Sequence, residues 1–311
     1  MIDLCIEPRV VKSWDQFRKE NPRYSMALDD YVNDRPLFDA DGPYINFDHH
    51  HFVDRLSTRS TAGQVYLAIK QGLFERFSES GIPHAQVYVN DADYDVCVAW
   101  WLLKNHERIT GIKSEPLITK LVGITDYMDA TGGLYPLDPN TTLMRERAWI
   151  FEPYSEARLT GRILLMREGE MRNVIDSVTS RIDKHLLGRG EEKTVDTRYD
   201  KIGGGENWMM VREIGAEARG KMVIDGIKAF VSVREVDETH YAYTLARVSA
   251  FIPFPIPDLF DDINLLEGYS LADPQRWGGS DIIGGSSRTN NTTIKPEELE
   301  RMINEFLRRK K

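Results

Sequence analysis

The chain has 311 residues and a formal net charge of −9, with 41% hydrophobic and 29% charged residues. That length can bury a sizeable core and suits one large or two ordinary domains, and the composition is that of a soluble globular protein. Net acidity argues against a broad grip on long duplex nucleic acid, no apolar run reaches the roughly 20 residues a bilayer requires, and the opening MIDLCIEPRVVKSWD lacks the basic and apolar regions of a signal peptide; the expectation is a cytoplasmic protein with no membrane partner.

Cys5 and Cys97 lie far apart and outside any CxxC pair, so neither a disulfide framework nor a cysteine-based zinc site is expected. In chain order, the first half alternates β-like runs with helical patterns. YSMALDD (24–30), PYINFDHH (43–50) and HAQVYVND (84–91) are apolar runs ending in acidic or histidine residues, as strands do when their carboxyl ends feed a site. Between the last two, residues 60–80 open on Ser and Thr and carry apolar residues at 65, 67, 69, 73 and 74, which predicts a capped crossover helix. VCVAWWLLKNHE (96–107) predicts an apolar helix and SEPLITKLVGI (114–124) another. The alternation predicts an α/β fold with a mostly parallel sheet flanked by helices.

Residues 154–187 keep helical periodicity over about nine turns, enough for one long helix or two. The glycine- and charge-rich stretch after them sets the expected organisation: a catalytic domain over 1–187, a linker over 188–206 and a smaller α+β domain over 207–311. In that second domain KMVID (221–225), KAFVSVREV (228–236) and YAYTLARVSAF (241–251) predict strands, and Pro296 to Arg309 a helix with Pro near its first turn.

Acids and imidazoles collect at four places read as strand ends: Asp29/Asp30; Asp48 with His49, His50 and His51; Asp91/Asp93/Asp95; and Asp126/Asp129. Carboxylate oxygens suit Mn²⁺ or Mg²⁺, and imidazole moves the preference toward Mn, Fe, Co or Zn. A single aspartate at a strand end also serves as a helix cap or turn residue, and a histidine run as a solvated turn. The D-x-D-x-D spacing carries more weight, because at a strand-to-helix turn it gathers carboxylates where helix amides also point. Adjacent histidines cannot face the same way on a strand, so His49 and His50 are expected to divide into metal ligand and substrate contact, with His51 in neither role.

FDHH (47–50), the acidic strand end at 29–30, DADYDVCVAWWL (91–102) and GITD (123–126) resemble the four motifs of the DHH phosphoesterases, a superfamily of manganese pyrophosphatases, nanoRNases, single-strand exonucleases and cyclic dinucleotide phosphodiesterases. The resemblance implies Asp93, Asp95, His49 and Asp126 as metal ligands, Asp30 or its neighbour Asp29 as the bridging aspartate, and His50 against the phosphate. It also implies two divalent cations, Mn²⁺ first with Mg²⁺ or Co²⁺ as alternatives, and a hydroxide generated between them that attacks phosphorus in line. In this chain the DxD motif follows DHH instead of preceding it. Val89 stands four residues before Asp93, where the family often has a histidine, with Asn90 or Asp91 as substitutes. WGGSDIIGGSSR (277–288) resembles the GGH-type loop of the associated C-terminal domain, without its histidine. That likeness implies a substrate grip from Gly278, Gly279 and Arg288, flanked by Arg276, with Arg288 also acting in catalysis. Arg55 and Arg59, just past the DHH segment, are further phosphate candidates.

The chain lacks a GxxxxGK[ST] loop, HExxH, GxSxG and a Rossmann GxGxxG after a strand. The expectation is therefore a metal-dependent phosphoesterase acting on a small phosphorylated substrate or short single-stranded oligonucleotide, with an oligomeric state left open. The alternatives are a metal- or nucleotide-binding protein without turnover on the same fold, and a hydrolase of a non-phosphate bond. His185, His240 and the terminal RRKK are read as structural or solvent-facing.

Overall fold

A computed structural model describes residues 1–270, 273, 275–287 and 290–310. The chain forms two compact units, Met1–Ala130 with Arg145–Lys193, and Thr131–Met144 with Thr194–Lys311. Arg288, expected to grip substrate, lies outside the described residues. Among the described residues no helix is long and apolar enough to cross a membrane.

The first unit contains β1 (Ile2–Ile6), α1 (Trp14–Glu20), β2 (Ser25–Leu28), β3 (Leu37–Asp39), β4 (Tyr44–Phe47), α2 (Thr61–Lys70), the short α3 (Leu73–Arg76), a hairpin of β5 (Ser78–Glu79) and β6 (Ile82–Pro83), β7 (Ala85–Val89), α4 (Tyr94–Lys104) and α5 (Pro116–Ala130). The chain returns to it through α6 (Thr142–Ile150) and adds α7 (Glu152–Leu159) and α8 (Glu168–Leu186). Its main sheet has the order β1-β7-β2-β4-β3, parallel from β1 through β4 and antiparallel at β3. Period-two alternation divides its side chains between two faces. Met26, Leu28, Phe47, Val87 and Val89 enter a core with α2, α4, α5 and α8, whereas Ala27 and Tyr88 meet Phe17 of α1 on the other face. Helix α4 is apolar nearly all round and buried from Asp95 to Leu103, as a helix enclosed by other elements must be.

Two expectations change here, and the choice between one helix and two over 154–187 is resolved as two. Residues 60–80 are not one helix: α2 stops at Lys70, Gly72 takes a left-handed φ of 94°, and α3 and the hairpin follow. The 154–187 periodicity divides at Gly161, φ 70°, into α7, a 3₁₀ turn (Arg162–Leu165) and α8. Asp126 and Asp129 lie in the closing turns of α5, which continues past the predicted end at 124, and not at a strand end.

The second unit contains β8 (Tyr199–Gly205), β9 (Trp208–Glu213), α9 (Ala218–Ile224), β10 (Ala229–Glu235), β11 (Tyr241–Arg247), α10 (Ile256–Glu267), β12 (Gly278–Gly279), β13 (Ile283–Gly285) and α11 (Pro296–Arg309). Its sheet, ordered β12-β13-β11-β10-β9-β8, is antiparallel except between β9 and β10. The fold thus combines helices with two mixed sheets. The expected linker contains the edge strand β8, and KMVID is mostly helical in α9, because Ala218 and Met222, one turn apart, bury together against Val211, Phe230 and Ala246. Residues 131–144 join this unit, with Leu134 in the same cluster. Gly279 is explained by the sheet: its φ is 147°, and a Cβ there would lie 2.3 Å from Gly284 Cα.

Candidate metal centre

Strands β7, β2 and β4 are neighbours and run parallel, so their carboxyl ends open on one edge of the sheet. β2 runs directly into Asp29, β4 leads through Asp48 to His49 and His50, and β7 leads to the Asp91–Asp95 segment that starts α4. Asp29 has a φ of 56°, a left-handed turn that its short polar side chain tolerates. Asp48 folds the next turn: its Oδ2 accepts from the backbone N–H of His50 and of His51, each at 2.8 Å. The rings of His49 and His50 consequently lie 4.3 Å apart, centroid to centroid. The last turn of α5 contributes Asp129.

These segments converge on His49, whose side chain is wholly buried. Its Nε2 lies 2.7 Å from Asp129 Oδ2, 3.3 Å from Asp29 Oδ1 and 3.6 Å from Asp95 Oδ2. Yet neither ring nitrogen of His49 has a hydrogen-bond partner, nor does Asp129 Oδ2. Buried polar atoms are nearly always paired, so three buried atoms on this contacting imidazole and carboxylate without a hydrogen bond mark a place where a further group would fit. Two groups of residues could each hold a metal ion: Asp29 with His49 and His50, and His49 with Asp95 and Asp129, the ligand atoms of each within 4.8 Å of one another. A mixed carboxylate and imidazole set fits a divalent cation of the Mn, Fe, Co or Zn kind.

The electrostatics point the same way. Burial opposes ionisation of Asp29, but His50 and His49 hold its carboxyl well below the usual range. Burial likewise opposes a charge on His49, but Asp129 and Asp29 raise it well above the ordinary imidazole value. Asp129 is held low against its burial by His49 and Arg55. Burial and the Asp129 charge push Asp95 up to about 7, and burial together with Asp29, Asp129, Asp95 and Asp91 pushes Asp93 well up. The cluster has more carboxylates than cationic partners to neutralise them, a deficit a cation would remove.

Compared with protein-family models, curated proteins and solved structures, the chain matches none.

Of the residues expected at the site, the structure brings together His49, His50 and Asp95. Asp93 stands beside them, its Oδ1 capping α4 by accepting from Val96 N–H at 2.7 Å. Asp95 accepts from the N–H groups of Thr61, at 2.5 Å, and Ala62, at 2.9 Å, at the amino end of α2. Asp29 and not Asp30 faces His49; Asp30 is 3.3 Å from His51 Nε2. Asp129 and not Asp126 faces His49; Asp126 accepts from Ser60 N–H at 2.7 Å and from Arg59 at 2.9 Å. Those two hydrogen bonds tie α5 to the start of α2. Arg59 is half-exposed in that ion pair, and Arg55 is buried. Gly278 and Gly279 belong to the second unit's sheet. Asp129 was among the acids visible in the sequence, but GITD drew attention to the residue three positions earlier.

Proposed function

We propose that this chain is a divalent-metal-dependent hydrolase of phosphoesters, with the first unit working as a DHH-type phosphoesterase domain on a mostly parallel sheet. The observation that carries the reading is His49: a buried imidazole with neither nitrogen hydrogen-bonded, within 3.6 Å of three carboxylates, at the carboxyl edge of adjacent parallel strands. Asp29, His49, Asp95 and Asp129 would hold the cations, with Asp93 beside them and Mn²⁺ ahead of Mg²⁺ or Co²⁺. Bound there, such cations supply water activation and offset negative charge on a phosphoryl oxygen. The chain's own residues order the rest. Thr61 and Ala62 fix both oxygens of Asp95, Asp48 folds the histidine turn, and His50, about a third exposed, presents a polar ring to the open side. An acidic surface favours small phosphorylated substrates over long polyanions.

The test is Mn²⁺ titration by calorimetry together with hydrolysis of bis(p-nitrophenyl) phosphate, for wild type, His49→Ala and Asp95→Asn. Wild type is expected to bind the ion and cleave the ester, and both variants to lose about 10-fold or more in affinity and in rate. Equal Mn²⁺ affinity in wild type and His49→Ala would refute the metal centre. Tight binding with cleavage only of carboxylic esters or amides would refute the phosphoester substrate.

A further inference from the structure

We infer that Phe52 is a specificity-determining residue beside the candidate centre: a platform on which a flat ring in the organic part of the ester stacks. The inference rests on the phosphoesterase reading and extends it, naming the class of ester and the side chain that selects it. Single exposed apolar side chains are common on protein surfaces. Phe52 is 81% exposed and also has a φ of 53°, in the left-handed region, where a bulky residue is an outlier. Tyr24, another aromatic residue with such a φ, at 68°, offsets the strain by packing edge-on against His84 at 5.3 Å between ring centroids. Phe52 stacks on no ring among the described residues, so the fold gains nothing visible from it. Strain of this kind persists only where the surroundings over-determine it, and it collects at functional sites.

The surroundings do so here. Before Phe52, Asp48 Oδ2 holds the N–H groups of His50 and His51. After it, Arg55 is 3% exposed and fastens the chain: Nη2 donates to the Asp129 carbonyl at 2.7 Å and Nη1 to the His49 carbonyl at 3.3 Å. Asp54 closes the next turn, its Oδ1 accepting from Leu56 N–H and its carbonyl from Ser57 and Thr58 N–H. The segment is thus pinned on both sides of an aromatic side chain left in water. Three residues of chain separate Phe52 from His49, so their Cα atoms lie within about 11 Å of each other. That is close enough for the ring to meet the part of an ester adjoining its phosphate. A pinned loop loses little freedom on binding, which favours a preformed contact. Aromatic stacking tolerates any flat partner, so Phe52 should separate esters with a ring from esters without one and discriminate little among rings.

The test uses the full chain with Mn²⁺ and two esters that share a leaving group, thymidine 5′-(p-nitrophenyl phosphate) and ethyl p-nitrophenyl phosphate. Wild type should favour the thymidine ester in kcat/KM. Phe52→Trp should keep that preference, whereas Phe52→Leu, apolar without a flat face, should reduce it about 10-fold, chiefly through KM. Asparagine tolerates the left-handed region, so Phe52→Asn should lose the preference and at the same time raise the melting temperature of the metal-free protein. No preference in wild type, or an equal one in Phe52→Leu, would overturn the proposal. A lower melting temperature in Phe52→Asn would also overturn it, by showing that the ring serves the fold. Calorimetric binding of adenosine 5′-monophosphate and of ribose 5-phosphate keeps the two readings apart. If neither ester is cleaved, the hydrolase reading fails. A nucleotide advantage that Phe52→Leu loses and Phe52→Trp keeps would still support the platform, and equal binding of the two compounds by wild type would refute it.

Discussion

Asp93 and Asp95 are two residues apart and meet different demands. Asp93 caps α4 through one oxygen while its charge is opposed by burial and by four neighbouring carboxylates; Asp95 has both oxygens engaged by backbone N–H groups. Asparagine caps a helix about as well as aspartate and carries no charge. Asp93→Asn should therefore raise the melting temperature of the metal-free protein at pH 8 while weakening Mn²⁺ binding, and Asp93→Ala, which sheds the same charge but also the cap, should be less stable than Asp93→Asn by about 1 kcal/mol. Calorimetric scans of the two variants beside wild type check both signs; a lower melting temperature for Asp93→Asn would refute the like-charge account. The kinds of residue at the site were readable from the sequence, since acids and imidazoles after apolar runs are visible there. Which member of each pair points inward was not. Asp29 over Asp30 is decided by a left-handed φ at 29, and Asp129 over Asp126 by the helical phase of α5, and composition encodes neither.

The start of α2 joins three elements. Ser60 caps it through Gly63 N–H, Asp95 of α4 accepts from its first amides, and Asp126 of α5 accepts from Ser60 N–H. Gly63 is what lets α5 come this close, because a Cβ there would lie 2.8 Å from Asp126 Oδ1. Alanine is the better helix former by about 1 kcal/mol, yet Gly63→Ala should lower the melting temperature, by about 2–4 °C, because the displaced carboxylate is pinned by Ser60 and Arg59. A rise in thermal scans would show that Asp126 moves freely. At this level the sequence was a good guide where hydrophobic pattern and turn chemistry agreed, as in β2, β4, β7, α4 and α11. It was a poor guide where distant packing decided. A small cluster made KMVID helical, and a glycine-rich stretch that looked like a linker was drafted into β8 as a sheet edge.

For the metal-free protein the raised and lowered groups add to a definite pH dependence. Asp95, Asp93, His49 and His51 have folded-state pKa values above their unfolded ones, so the stability they lend is complete only below the unfolded values and drains away as pH rises through the folded ones. Asp29 and Asp129 are lowered, and their contribution is already complete above the ordinary carboxylate range. Between about pH 5 and pH 8 stability should therefore fall with rising pH, and Mn²⁺ should restore most at the alkaline end. Urea melts in chelator at several pH values check this; a flat or rising profile would contradict it.

The four residues that could hold the ion also imply a kinetic prediction. Asp29, His49, Asp95 and Asp129 span a hundred residues of sequence and are brought together by a sheet in which β7 lies between β1 and β2. An ion cannot help assemble a cage that does not yet exist, so it should leave the refolding rate unchanged and slow unfolding alone. Measured as a chevron, the unfolding limb would drop with added Mn²⁺ while the folding limb stayed in place, making the ion a latch that closes after the sheet is built.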